Sequence, residues 1–473
     1  GFKGYVYSDW GSVEMLKSFH GTAKDDADAA VQALTAGLDF EVASSCYATL
    51  DRLVTNKLLD VSWIDKAVTN ILRAKFVSGL FENPYPDREN LEKVIHNSES
   101  VELAKEIALE SVILLKNEKN ILPIGDNIKT IAIAGPNADQ IQFGDYSWTK
   151  ENKYGITPLQ GIRKLIGDKV QIKYTKGCDI HNYGNDFSEA INNTKNSDLT
   201  ILFLGSTSAS LSRDYKNAVS GEGFDLSDLN LPGEQIELAK ALHNTGKPVI
   251  VVLVSGKPFA IRWIKENIPG ILVQWYGGEE AGNAIAEILF GKVNLSGRLN
   301  VSFPQSTGHL PVHYNYYPSD KGYYKNPGSK EKPGQDYVFA TPDALWPFGF
   351  GLSYTSFKYE SIEVDREKLN GNESVRVNIT LSNTGIREGK EVVQLYARDK
   401  VSSVVTPVRE LKRFQKVLLK PGERKTVTFE LPMEELALYD ANLKKVVEPG
   451  EFELQVGHSS SDIVLRKVIE VVK

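Results

Sequence analysis

The chain has 473 residues, which at roughly 100–200 residues per domain predicts two to four domains. Apolar residues make up 41% and charged residues 25%, as in an ordinary globular chain, and a net charge of −6 leaves no electrostatic footprint for nucleic acid or an anionic membrane surface. The cysteines, Cys46 and Cys178, are too few and too far apart for a disulfide framework or a CxxC metal pair, and both read as small buried apolar residues. The longest apolar runs, such as Val249–Val254, fall far short of the ~20 residues a membrane helix needs.

In chain order, the first stretch is Gly1-Phe-Lys-Gly-Tyr-Val-Tyr-Ser-Asp-Trp10. Val6 and Tyr7 read as the end of a buried strand, and Ser8, Asp9, Trp10 and Gly11 as the turn leaving it. Because this stretch has no initiator Met and already reads as strand, Gly1 is not expected to be a natural start, and the absence of a secretory signal is uninformative. Asp25 or Asp26 can cap a helix through Ala29, Ala30, Ala33 and Leu34, stopped by Gly37. Residues 38–42 alternate like a second strand. Ser62 and Asp65 suggest a capping box before an amphipathic helix with Ile64, Ala67, Val68, Ile71 and Leu72 on one face, ended by Gly79. Residues 1–80 thus make two strand–helix units, where a closed barrel takes eight. Residues 81–97, with Pro84, Pro86 and many charges, read as a linker.

Residues 98–345 alternate between helices and apolar strands. A helix with Leu103, Ile107 and Leu114 on one face precedes strands at Thr130–Ala134, 170–174, 199–204, Val249–Val254 and 271–275, with helices at 232–244 and 280–290. Continuous apolar strands alternating with helices predict a mostly parallel sheet covered on both faces. Residues 308–342, rich in Tyr, Pro, Gly and Lys, read as surface loops. Residues 355–473 switch to period-two patterning, as in Val375, Val377, Ile379 and Leu381, punctuated by Asn383-Thr-Gly385, Pro421-Gly422 and Pro449-Gly450. That spacing predicts an antiparallel β-sandwich.

The motifs exclude several chemistries. The strand Thr130–Ala134 runs into Gly135-Pro-Asn-Ala-Asp rather than G-x-G-x-x-G, and no P-loop occurs. No H-E-x-x-H exists, and Pro311 breaks the helical face that His309 and His313 would need to share. No G-x-S-x-G elbow is present. No metal or cofactor is expected. Two carboxylates stand out. Asp9, at a strand end before an aromatic residue, has the position where a (β/α) barrel keeps its chemistry, and reads as a glycosidase nucleophile or as a turn or helix cap. Glu222, in Ser220-Gly-Glu-Gly-Phe-Asp225, lies between glycines that favour an exposed loop with close backbone approach, and reads as a catalytic acid or a solvated loop acid.

These stretches resemble glycoside hydrolase family 3, in its β-glucosidase-like branch, over essentially the whole chain. Residues 1–10 look like its nucleophile motif, with the acid at Asp9. Gly221-Glu-Gly-Phe-Asp and Leu229-Asn-Leu-Pro-Gly-Glu-Gln235 are similar to its acid/base loop, with the acid at Glu222. Leu114-Leu-Lys-Asn-Glu118, Ile131-Ala-Ile-Ala-Gly-Pro-Asn-Ala-Asp139, Ser296-Gly-Arg-Leu, Trp346-Pro-Phe-Gly-Phe-Gly-Leu-Ser-Tyr354 and Glu391-Val-Val-Gln-Leu-Tyr396 also agree. The chain departs from the family at Leu226, where members commonly have Arg.

The resemblance implies a multidomain α/β protein: the C-terminal remnant of a (β/α)8 barrel (1–80), a linker (81–97), an α/β sandwich domain (98–345) and a fibronectin type III-like β-sandwich (355–473). It implies a retaining, exo-acting β-glucosidase that releases a terminal β-D-glucosyl residue from β-linked glucosides or oligosaccharides. Asp9 is then the nucleophile, Glu222 the general acid/base across a domain interface, and Trp10 a platform for a sugar face or a packing residue at the barrel top. Trp10 looks more like β-glucosidases than β-xylosidases, which often have Cys there. The barrel strands upstream of Asp9 are expected to be needed, and a periplasmic or extracellular location is implied. The alternatives are a β-xylosidase-type specificity, or a catalytically incomplete carbohydrate-binding fragment.

Overall fold

A computed structural model of the chain describes residues 2–149, 151–209, 218–322 and 326–472, apart from the side chain of Glu92; Gly1 of the Asp9 motif lies outside the described residues. The chain divides into two compact units, Gly1–Asn97 and Ser98–Lys473.

In the first unit, β1 (Tyr7–Trp10) pairs in parallel with β2 (Phe40–Val42), Tyr7 opposite Phe40 and Trp10 opposite Val42, with an irregularity between them. The crossover runs through α1 (Ser12–Ser18) and α2 (Asp26–Thr35). Asp25 caps α2 by accepting the Asp28 amide N–H, which satisfies one of the donors a helix leaves open. Then come α3 (Leu50–Thr55), α4 (Ser62–Val77) and α5 (Arg88–Val94). Val13, Ala23, Ala29, Ala30 and Cys46 form one small core, and Leu34, Leu53, Leu59 and Ala67 another.

Several local readings need correction here. Ser8, Asp9 and Trp10 belong to the strand, and the turn comes at Gly11, whose φ is 72°. Val6 and Tyr7 are exposed (45% and 63%) rather than buried, and the buried apolar side chains of this unit lie in two other clusters. The capping box at Ser62 does not form: Val61 holds the cap position, and the Asp60 carboxylate accepts the Ser62 amide at 2.8 Å. The 81–97 stretch carries α5, since Asp87 accepts the amides of Glu89 and Asn90 and starts a helix after the prolines.

The second unit opens with α6 (Ser98–Ser111), followed by a six-stranded sheet. Its strands are β3 (Ile113–Asn117), β4 (Thr130–Ala134), β5 (Gln171–Thr175), β6 (Leu199–Gly205), β7 (Val249–Val254) and β8 (Gly270–Gln274), in the spatial order β3-β8-β7-β6-β4-β5. All neighbours are parallel except β3 and β8. The helices are α7 (Pro158–Ile166), α8 (Ser188–Lys195), α9 (Gln235–His243), α10 (Arg262–Asn267) and α11 (Ala281–Leu289). Successive side chains on a strand point to opposite faces, so Val249, Val251 and Leu253 enter one core while Ile250, Val252 and Val254 enter the other. Leu114 is a strand residue opposite Leu272, not part of a helical face, and on α6 Leu103 and Ile107 are exposed while Ala108 is buried. A helix that ends at Ser111 leaves the apolar run 112–115 free to pair with β8.

The last part is a sandwich of a five-stranded and a three-stranded sheet, ordered β10-β18-β17-β12-β13 and β14-β11-β9. The strands are β9 (Phe357–Val364), β10 (Lys368–Asn370), β11 (Ser374–Asn383), β12 (Gly389–Asp399), β13 (Glu410–Leu419), β14 (Arg424–Pro432), β17 (Gly450–Gly457) and β18 (Ile463–Val472), with a small hairpin of β15 (Leu438–Tyr439) and β16 (Lys445–Val446). The pairing is antiparallel apart from β10 with β18. Val375, Val377, Ile379 and Leu381 of β11 all enter its core. The sandwich is tied to the α/β part by a buried ion pair, Arg298 to Glu391 at 2.6 Å. The Glu391 carboxylate also accepts the Tyr359 hydroxyl at 3.0 Å. Burial pushes the Glu391 carboxyl up, but the Arg298 charge and the contacts with His458 and Tyr359 outweigh it and hold the group below its ordinary range.

Candidate active-site residues

β4 and β6 are neighbours, yet from β4 the chain first moves outward to β5 before returning to β6 on the other side. Loops at the C-terminal ends of two such strands splay apart, and open α/β sheets bind ligands in that crevice. Glu222 lies on the loop that follows β6. Asp145 and Tyr146 lie on the loop that follows β4.

The two loops are joined around Glu222. Its amide N–H donates to the Asp145 carboxylate at 2.6 Å, and the Tyr146 hydroxyl donates to the Glu222 carboxylate. Gly221 has φ 122° and Gly223 φ 77°, backbone that favours glycine. A Cβ on Gly221 would lie 3.0 Å from the Asp145 carboxylate. The stem of the Glu222 loop is held by a parallel bridge between Ser208 and Ser220 and by the Val219 amide donating to Thr207 O at 3.0 Å. The ends of β7 and β8 brace it further. Lys257 Nζ donates to Phe224 O at 3.3 Å, and the Tyr276 hydroxyl lies 2.6 Å from Ser206 Oγ. Burial raises the Tyr276 pKa, against its hydrogen bonds to Ser206 and Ser220, so this phenol stays neutral and works as a strut. Glu222 itself is exposed, as is Trp148 (69%) close along the β4 loop. Leu226, at the position where Arg was expected, packs against the core on one face of the sheet.

Asp9 sits in the other unit. The irregular pairing of β1 with β2 is fastened by Ser8, whose hydroxyl donates to Asp9 O at 2.8 Å and accepts the Val42 amide at 2.9 Å. The Asp9 carboxylate accepts the Trp10 amide at 2.7 Å. It does not cap α1, where Gly11 holds the cap position without a side-chain bond. Neighbouring acids have structural work: Asp39 accepts the Val6 amide and the Asn70 side chain at 2.9 and 3.1 Å, and Glu41 accepts the amides of Cys46 and Tyr47. Asp9 is exposed and Trp10 is 76% exposed.

Sequence reading singled out Asp9, Trp10 and Glu222 but not Asp145, Tyr146, Lys257 or Tyr276. The signal available for the first two was Gly144-Asp-Tyr-Ser-Trp148 on the loop after β4, next to the reversal of strand order. His309 is a packing residue. Its Nδ1 accepts the Gln305 amide at 3.2 Å, so its Nε2–H donates to Pro342 O at 3.0 Å, and burial lowers its pKa. Among the described residues no group of His, Cys, Asp and Glu could hold a metal ion, and no helix is long and apolar enough to cross a membrane.

Residues 112–354, about half of the chain, match the glycosyl hydrolase family 3 C-terminal domain, and residues 391–460 match a fibronectin type III-like domain. The chain is 41% identical to a β-xylosidase of Formosa agariphila over 492 aligned residues, covering 100% of this chain and 65% of the relative. It is 35% identical to a periplasmic β-glucosidase of Salmonella typhimurium, covering 98% of this chain and 63% of the relative. A crystal structure of a β-glucosidase from Listeria innocua in complex with glucose is similar, with a TM-score of 0.87 and 34% identity, covering 100% of this chain and 63% of that one. The chain therefore spans less than two thirds of the length of these relatives.

Proposed function

The chain belongs to glycosyl hydrolase family 3, and from that membership we propose that it serves a retaining, exo-acting β-glycosidase, with Asp9 as nucleophile and Glu222 as general acid/base. In this reading the first unit is the last two strand–helix units of a (β/α)8 barrel, 81–97 links it onward, 98–345 is the α/β sandwich domain and 355–473 the fibronectin-like domain.

The ionised Asp9 carboxylate attacks the anomeric carbon. Glu222 donates its proton to the departing glycosidic oxygen, so a glycosyl ester forms as the leaving alcohol is released. Glu222 then takes a proton from water, which displaces Asp9 and restores both carboxyl groups. Retention by this route requires the two groups about 5–5.5 Å apart in the reacting complex. The observation that carries the reading is the construction of the Glu222 loop. Glycines, the Asp145 carboxylate and the Tyr146 hydroxyl present an exposed acid at the strand-order reversal, a costly arrangement for an acid that is merely solvated. Trp10, and Trp148 on the β4 loop, are exposed aromatic faces of the kind that pack on sugar rings.

A β-D-glucosyl residue is the proposed specificity, with β-xyloside cleavage as the second reading, favoured by the 41% identity to a protein named β-xylosidase. The test is hydrolysis of aryl β-glucosides, β-xylosides and α-arabinosides, by this chain and by a form carrying an upstream barrel segment. Asp9→Asn should lower kcat by roughly four orders of magnitude or more. Glu222→Gln should cost about 10²–10⁴-fold, most severely for substrates with poor leaving groups. Unchanged rates in both variants of an active form would sink the assignment. Inactivity of every form, with sugar binding intact, would select the carbohydrate-binding fragment.

A further inference from the structure

We propose that the seam between the α/β part and the fibronectin-like sandwich holds a binding site for a small oxyanion, a carboxylate or its inorganic equivalents, gripped by Lys321 and Arg409. A cavity of about 210 Å³ lies there, bordered by Ser302, Tyr316, Lys321, Asp343, Arg409 and Ser461. It is smaller than the roughly 300–1,000 Å³ pockets that take drug-sized ligands, so its occupant is compact.

The two cations are the unusual feature. Both are partly buried, and among the described residues neither forms an ion pair with a carboxylate. Lys321 Nζ donates to Pro342 O at 3.3 Å and lies 4.3 Å from the centre of the Tyr316 ring. Arg409 reaches Ser460 O, while its Nε is buried with no hydrogen-bond partner among the described residues. Partly buried cations with no paired carboxylate carry a desolvation cost that an anion bound beside them would offset. Burial is its main source. Burial lowers the Lys321 pKa; the nearby Asp343 opposes that shift, and the positive charge of Arg409 adds to it. Burial also lowers the Arg409 pKa, with the charges of Arg466 and Arg398 in the same direction and Tyr316 and Tyr396 against it. The two cations border the same small polar space, and an anion bound between them would offset the desolvation of both. The walls are pre-formed. Tyr314 stacks on Phe348 at 4.2 Å between ring centres and accepts the Leu411 amide at 3.2 Å, and the Phe348 amide donates to Ser302 Oγ at 3.2 Å. Serine hydroxyls at the rim suit anion oxygens.

The site shares no residue with the proposed glycosidase pair, so it is tested by binding. The intact protein in a chloride-based zwitterionic buffer is titrated calorimetrically with sulfate, phosphate, glucuronate and, as the neutral control, glucose. At least one of the three anions should bind, and which of them does distinguishes an inorganic oxyanion from the carboxylate of an acidic sugar. Arg409→Gln and Lys321→Gln should each weaken that binding about tenfold, equivalent to about 1.4 kcal/mol, whereas Asp343→Asn, which removes the acid bordering the cavity, should tighten it. Circular dichroism of the anion-free variants checks that they fold, and the opposite sign of the Asp343 variant cannot come from unfolding. Absence of binding by all three anions, equal binding of glucose and glucuronate at the same site, or affinities indifferent to these substitutions would overturn the proposal.

Discussion

Asp9 stands on a two-stranded ribbon whose Tyr7, Trp10 and Phe40 are exposed, whereas Glu222 follows a strand whose seven residues are all buried within a six-stranded sheet. A two-stranded ribbon has little stability of its own. β1 is held by its pairing with β2 and by a few local bonds, from Ser8, Asp39 and Gly11, while the small clusters of its unit contain none of its residues. β6 is held by parallel ladders on both sides and by a separate hydrophobic core on each face. The contrast is one of coverage: β1 has one strand partner among the described residues, whereas β6 is paired on both edges and buried on both faces.

If layered burial is the difference, substitutions should sort by it. The largest effect is expected at the tie between sheet and sandwich. Glu391→Gln leaves Arg298 buried without its counter-charge, and losing one partner of such a pair costs about 3–5 kcal/mol, read as a lower denaturant midpoint for unfolding of the second unit. Leu253→Ala, in a strand with no exposed residue, should cost about 2–5 kcal/mol in the same measurement.

Acid should weaken the second unit through Glu110. Burial raises this carboxyl, but hydrogen bonds from Lys390, Lys416 and Ser296 outweigh it and bring it to about 2, below the ordinary 4.5. A carboxyl depressed by folding stabilises fully above its unfolded value and loses that contribution as pH falls through the folded one. Stability should therefore decline between about pH 4.5 and 2, and Glu110→Gln should flatten the decline in acid titrations followed by circular dichroism.

Gly221→Ala should cost about 1–3 kcal/mol, because φ 122° is strained for alanine and the new methyl meets Asp145. Its activity loss should exceed its stability loss if the loop positions Glu222 for chemistry. The smallest effect is expected at Tyr7→Ala, within about 0.5 kcal/mol, since that side chain is 63% exposed. A loss of 2 kcal/mol or more there would contradict the distinction between the two strands.

Much of the architecture was legible because it is periodic. The unbroken apolar run Val249–Val254, the alternation from Val375 to Leu381 and the Asp25 cap are short-range patterns, and the elements they predict form where expected. Asp9 and Glu222 were legible as candidates because a strand end and a glycine-flanked acid are also local signals. What sequence neighbours could not disclose was decided by long-range pairing. Leu114 fits a helical face until β8 offers it an antiparallel edge. Tyr7 and Val6 look like core by their apolar character, yet both are exposed and the buried residues of their unit lie in other clusters. Tyr146 and Glu222, 76 residues apart, meet because β4 and β6 pair in parallel and send their loops off the same end of the sheet. A chain's periodicity encodes which face of an element is apolar; which element will cover that face, and which distant loop will share its rim, is settled only when the layers close.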